Sequence, residues 1–207
     1  YRMWYQEFQV REEPTLHPYR NWISAAGNTQ NGAYLNERGI AVSRWTYGPQ
    51  SPHSQGRWEY YFDQCNPHSF KKWSFTALDV DEWIPAGRKD YAICARGMRE
   101  AKKKWPNLFL ACYVTGTDQP YFRELVADGT VDLAIIEGYT NVWGDVRWRW
   151  QGLLRRCQIM ADAGLIDKTI VTYGHLAEPL TANHLNRVVG LVHDTYPQMP
   201  GIGLFPG

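Results

Sequence analysis

From Phe75 to the C-terminus, short apolar runs alternate with segments of helical periodicity, and this rhythm constrains the fold more than any other feature of the chain. After "FTALDVD" comes "RKDYAICARGMREAKKKWPN", where Tyr91, Cys94, Met98, Ala101 and Trp105 recur at the three- and four-residue steps of one helical face. "LFLACYVTG" then reads as a strand covered on both sides, because its apolar run is continuous and no charge interrupts it. In "DQPYFRELVADG", Asp118 is the expected N-cap, Pro120 falls in the first turn and Gly129 lies past the end. The cycle repeats as strand "VDLAIIEGY" and helix "WRWQGLLRRCQIMADAG", in which Trp150, Leu153, Leu154, Cys157 and Met160 share a face. It closes with "KTIVTYG", helix "ANHLNRVVGLVHDTY" and a last strand "GIGLFPG".

Upstream, "RMWYQEF", "NWISAAG" and "GIAVSRWTY" bring the strand count to eight, with "NGAYLNERG" as a short helical candidate. Strict alternation with right-handed crossovers gives a parallel sheet, and eight parallel strands predict an α/β fold of the TIM type, a (β/α)8 barrel. Such barrels usually need about 250 residues. With 207, the first third is expected to be abbreviated, or N-terminal residues are missing. An open doubly wound sheet is the alternative, but no glycine-rich phosphate loop follows any strand. The length suits a single domain over residues 1–207, and "TYGPQSPHSQGRWEYYFDQCNPHS" reads as a long, decorated βα loop.

The formal charge of +1 encodes no pull toward nucleic acid or anionic lipid, and no apolar run is long enough to span a bilayer. Neither is expected as a partner, and the chain is expected to be monomeric. Cys65, Cys94, Cys112 and Cys157 show no metal-ligand spacing and read as buried free thiols. "REAKKKW" reads as a solvated helix end whose cations offset the macrodipole.

In a barrel, every loop that leaves the C-terminal end of a strand reaches one rim. The fourth strand delivers Asp79, Asp81, Glu82 and Trp83 there, and the sixth delivers Glu137 and Tyr139. Trp45, Tyr113, Trp143 and His175 fall in or beside other rim segments. Alternation assigns Leu78 and Val80 to the helix-facing side and Asp79, Asp81 and Glu137 to the barrel mouth, with Glu82 joining them only if the strand bends. Neighbouring carboxylates raise one another's pKa, so one can stay protonated while another is ionised, as glycosidic bond cleavage requires. Ten Trp, thirteen Tyr and seven Phe supply the flat apolar surfaces on which sugar C–H faces stack.

With "ALDVDEW" at strand four and "IIEGYT" at strand six, the chain resembles the (β/α)8 glycoside hydrolases. In the chitinase-like family strand four reads D-x-x-D-x-D-x-E; Asp79 and Asp81 match its D-x-D part and Tyr139 its sugar-holding Tyr. Thr76 stands where the first Asp would be, and Glu82 comes one residue early. "Asp81-Glu82" is also similar to the Asn-Glu pair of the large glycosidase clan, whose second Glu could correspond here only to Glu178.

The resulting expectation is a glycoside hydrolase of a polysaccharide or oligosaccharide, needing no cofactor. Asp81 or Glu82 would be the general acid, Glu137 the base or nucleophile, and Asp79 a pKa-tuning neighbour. Trp45, Trp83, Tyr113, Tyr139, Trp143 and His175 would position sugar rings. By analogy with enzymes of polymeric substrates it would act outside the cell. Two alternatives are a divalent-metal site built from the D-x-D-E cluster with Glu137 and His175, and a carbohydrate-binding barrel without catalysis.

Overall fold

The structure, a computed structural model, describes residues 2–7, 20–25, 37, 41–46, 48–49, 51–68, 77–83, 91–139, 146–174 and 182–205. Eight parallel strands close into a barrel in sequence order: β1 (Arg2–Glu7), β2 (Arg20–Ala25), β3 (Ala41–Thr46), β4 (Ala77–Trp83), β5 (Phe109–Val114), β6 (Leu133–Tyr139), β7 (Thr169–Gly174) and β8 (Gly201–Phe205). The seam is the β1–β8 ladder, in which Arg2, Met3, Trp4 and Tyr5 pair with Gly201, Ile202, Gly203 and Leu204. All eight expected strands are present, each within the apolar run that predicted it. The helical candidate "NGAYLNERG" lies outside the described residues apart from Glu37.

Two separate apolar layers follow from the alternation of side chains along each strand. Leu110, Cys112, Val114, Ala134, Ile136 and Val171 face outward and pack against helices. Ala111, Tyr113, Ile135 and Ile170, with Phe109 and Leu133, fill the barrel interior. The outer layer is covered, among the described residues, by α1 (Trp58–Gln64), α2 (Tyr91–Lys104), α3 (Pro120–Ala127), α4 (Val146–Asp162) and α5 (Ala182–Thr195). Tyr91, Cys94, Met98 and Ala101 of α2 and Leu153, Cys157 and Met160 of α4 are buried there, as their spacing predicts.

Three local expectations are corrected. The segment expected as a decorated loop contains a 3-10 turn at Pro52–Ser54 and the helix α1. "WEYYFDQ" carries no clean apolar stripe, and the helix is held by close packing on α2. A Cβ at Gly97 would come within 2.6 Å of the Trp58 carbonyl oxygen and of Tyr61 Cβ, and 2.9 Å from Phe62 N. The N-cap of α3 is Gln119 and not Asp118, and it makes no side-chain capping bond; Pro120 and its preset φ start the helix instead. The lysine run at the end of α2 is not simply solvated. Lys102 Nζ donates to the Leu108 carbonyl and to Asp132 Oδ2, each at 2.6 Å, while Asp132 Oδ2 also accepts from Leu110 N at 2.8 Å. This ties α2 to the entries of β5 and β6. Lys104 lies over the Phe62 and Trp105 rings, and Lys103 pairs with Glu100.

All four cysteines are free and buried, matching the expectation. Burial pushes the Cys65 and Cys157 thiols up to about 12, with Arg44 and Arg156 respectively offsetting part of the rise.

Two outcomes are expected. Gly97→Ala should destabilise the protein by about 1–3 kcal/mol in urea unfolding, because the added methyl meets backbone that cannot yield. The thiols should resist Ellman's reagent in the native protein at pH 8. Above their ordinary value of 9.0 the unfolded chain ionises thiols that the folded chain keeps protonated, so stability should fall as pH rises from there toward about 12.

Candidate active site

The interior apolar layer gives way to polar residues at the C-terminal ends of the strands. On β6, Ile135 is fully buried in the interior and Glu137 follows two residues later, half-buried on the same face. Gly138 between them and the helices faces outward: a Cβ there would meet Val171 Cγ1 at 2.8 Å and Leu153 Cδ2 of α4 at 3.6 Å. That fixes the parity of the strand end and sets Glu137 on the barrel-mouth side, where the alternation argument expects it.

Glu137 pairs in register with Thr172 on β7, and Tyr139 with Gly174. On the β5 side, the ladder ends one pair earlier, at Val114 with Ile136. Tyr113 stands one layer lower, fully buried among Ala111, Ile135 and Ile170. It therefore forms the packed floor beneath Glu137.

β4 departs from regular alternation at the acidic cluster. Asp79 pairs with Ala111, an interior position, and Val80 pairs with Cys112, a helix-facing one. The next pair is Trp83 with Val114, so Asp81 and Glu82 together stand opposite Tyr113 alone. This is a β-bulge, which re-aims the strand locally and is common beside active sites. It shifts Trp83 into register with a helix-facing neighbour. On β3, Trp45 pairs with Asp79.

Of Trp45, Asp79, Asp81, Glu82, Trp83 and Tyr139 the structure describes the backbone, and Trp143 and His175 lie outside the described residues. The register thus brings the backbone of Asp79, Asp81 and Glu82 to one side of β5 and Glu137 to the other. Among the described residues no group of three His, Cys, Asp or Glu side chains converges as a metal site would.

The structure adds Arg156, which the sequence analysis did not single out. It lies on α4, donates from Nη1 to the Thr115 carbonyl at 3.3 Å, and its own carbonyl accepts from Thr117 Oγ1 at 3.0 Å. Burial lowers the proton affinity of its guanidinium, and Coulombic interaction with Cys157 and Glu137 offsets part of that shift. A cation held within range of a carboxylate favours the ionised form of that carboxylate. Nothing in "LLRRCQ" distinguishes Arg156 from Arg155; only the angular placement of α4 does.

Comparison with known proteins places this geometry in context. No family model matches the chain, and no curated protein does. Among solved structures, a xylanase-A-amylase inhibitor protein, XAIP-III, is similar with a TM-score of 0.68 at 12% identity, covering 99% of this chain and 92% of its own. A GH10 endoxylanase from a sugarcane soil metagenome has a TM-score of 0.65 at 10% identity, covering 100% of this chain and 86% of its own. Active domain 2 of a thermostable chitinase from Pyrococcus furiosus, solved with chito-oligosaccharides, has a TM-score of 0.61 at 10% identity, covering 89% and 74%. At such identities the likeness is one of fold.

Loss of the charge-assisted bond from Arg156 to the end of β5 should be measurable by itself. Arg156→Met should lower stability by about 1.5–3 kcal/mol in urea denaturation, and Arg156→Lys by less, since a lysine keeps the charge but not the planar fork. The fold of this chain is a closed (β/α)8 barrel of the TIM type, which the xylanase, the chitinase domain and the inhibitor protein share.

Proposed function

We propose that the chain is a glycoside hydrolase that cleaves a poly- or oligosaccharide by carboxylate acid/base catalysis. The observation that carries this reading is the position of Glu137, half-buried at the mouth of the barrel, with the β4 bulge bringing Asp81 and Glu82 to the opposite side of β5. A pair of carboxylates is the minimal equipment for the reaction.

In this reading Asp81 or Glu82 donates a proton to the glycosidic oxygen as the bond from that oxygen to the anomeric carbon breaks. Glu137 either removes a proton from the attacking water or attacks the anomeric carbon itself, and the separation of the carboxyl groups decides between them. Asp79 would tune the acid, and Trp45, Tyr139, Trp143 and His175 would contact the sugar; Tyr113, expected to do so, is fully buried in the interior packing, and Trp83 falls in register with the helix-facing Val114. A polymeric substrate would place the enzyme outside the cell, and among the described residues no helix is long and apolar enough to cross a membrane.

One similar structure is an inhibitor protein, which favours a second reading in which the barrel binds without turnover. Reducing-end release from xylan and from chito-oligosaccharides separates the two. Turnover should be detected on at least one substrate, survive EDTA, and fall roughly a hundredfold to ten-thousandfold in Glu137→Gln, with the oligosaccharide Kd nearly unchanged. Binding without turnover in the wild type would favour the second reading, and loss of activity on chelation would favour a metal site.

A further inference from the structure

Tyr121 is 60% exposed, one of two large apolar side chains left in solvent among the described residues. It is the second residue of α3, whose Phe122, Leu125 and Val126 are fully buried. A crossover helix runs back against the strand it follows, so the first turn of α3 lies at the end of the barrel reached by the C-terminus of β5. Barrel sites form at that end. Tyr121 therefore stands at the rim, in the outer ring of helices.

A single exposed ring is ordinary on a protein surface. What distinguishes Tyr121 is how firmly the segment before it is held. In the loop from Thr115 to Gln119, the Thr115 carbonyl accepts from Arg156 Nη1 of α4 at 3.3 Å, and the Thr117 carbonyl accepts from Arg123 Nη1 of α3 at 2.8 Å. Thr117 is fully buried and its hydroxyl donates to the Arg156 carbonyl at 3.0 Å. Pro120 then fixes φ immediately before Tyr121. Two helices thus hold a rim loop in one shape, and the ordering that a ligand would otherwise have to impose is already done. Next to Tyr121 in the chain, Asp118 is exposed and Gln119 makes no side-chain capping bond. A flat amphipathic ring beside a carboxylate and a carboxamide suits a sugar unit, since the ring offers a face to C–H groups and the other two hydrogen-bond hydroxyls.

We propose that Tyr121, with Asp118 and Gln119, forms a sugar-binding platform on the rim after β5, and that Arg123 and Arg156 keep it in shape. Set among the helices and not at a strand end, the platform meets only a chain long enough to run out of the mouth. The substrate class it fits is an extended polysaccharide. This deepens the function proposed above and rests on its carbohydrate ligand, but not on hydrolysis.

The test measures, by calorimetry, the Kd of xylo- and chito-oligosaccharides from disaccharide to hexasaccharide for the wild type, Tyr121→Ala, Tyr121→Phe and Arg123→Met, and follows hydrogen exchange in the loop. Tyr121→Ala should weaken the longer chains roughly threefold to tenfold and leave disaccharide affinity unchanged, while Tyr121→Phe keeps most of the affinity. Arg123→Met should speed exchange in the loop and weaken the same long chains with Tyr121 in place. A faster-exchanging loop with unchanged affinity would overturn the part given to the arginines. If the wild type binds these glycans and Tyr121→Ala binds every length equally well, the platform is overturned and the functional reading stands. If the wild type binds without turnover and Tyr121→Ala loses the long chains, the platform stands and the hydrolase reading fails. A wild type that binds no chain of either series overturns both.

Discussion

The pairing of β8 with β1 is the constraint on which the rest of the structure depends. Until Gly201–Leu204 meets Arg2–Tyr5, the sheet has two open edges with unpaired backbone groups and no distinct inside. Closure satisfies those groups and converts the two-residue alternation of every strand into a division between barrel interior and helix-facing surface. The interior is small, so it takes one compact apolar plug around Ala111, Tyr113, Ile135 and Ile170. The outer face is large and takes most of the buried helix residues. Polar residues placed past the plug, at the C-terminal strand ends, have nowhere to go except a common mouth.

Near that mouth, small irregularities interrupt the regular strands. The bulge at Asp81–Glu82 lets two consecutive acidic residues share one position opposite Tyr113, which a regular strand cannot do. Gly138 and Gly203 allow close approach on opposite sides of the sheet, the first to Val171 and Leu153 and the second to Thr172. Arg156 reaches the end of β5 from a helix on the outer layer, linking the charge of the mouth to the packing of α4. The site thus draws on the inner layer for its carboxylate and on the outer layer for its field.

Much of the fold was legible because burial on both faces leaves strands such as "FLACYV" and "LAIIEGY" almost free of charge, and because α2 and α4 bury residues at helical spacing. The helix at Trp58–Gln64 was not, because its stability comes from contact with Gly97 some thirty positions away and not from its own pattern. The role of Lys102 was hidden for the same reason: Asp132, its partner, lies in a different loop. Glu137 could be assigned to the mouth by alternation alone, since β6 runs regularly through it. The β4 acidic cluster could be located but not oriented, since alternation has no way to foresee a bulge.

By itself the sequence determined the alternating order of strands and helices, the parallel sheet that order imposes, and the rim to which the acidic strand ends belong. These are consequences of local periodicity and chain connectivity, both written in neighbouring residues. Closure of the sheet, the register that puts Thr172 beside Glu137, the bulge at Asp81–Glu82 and the bond from Arg156 to the end of β5 were decided only in the tertiary structure. Each depends on how segments distant in sequence are staggered against one another, and hydrogen-bond register and packing volume, not local composition, set that stagger.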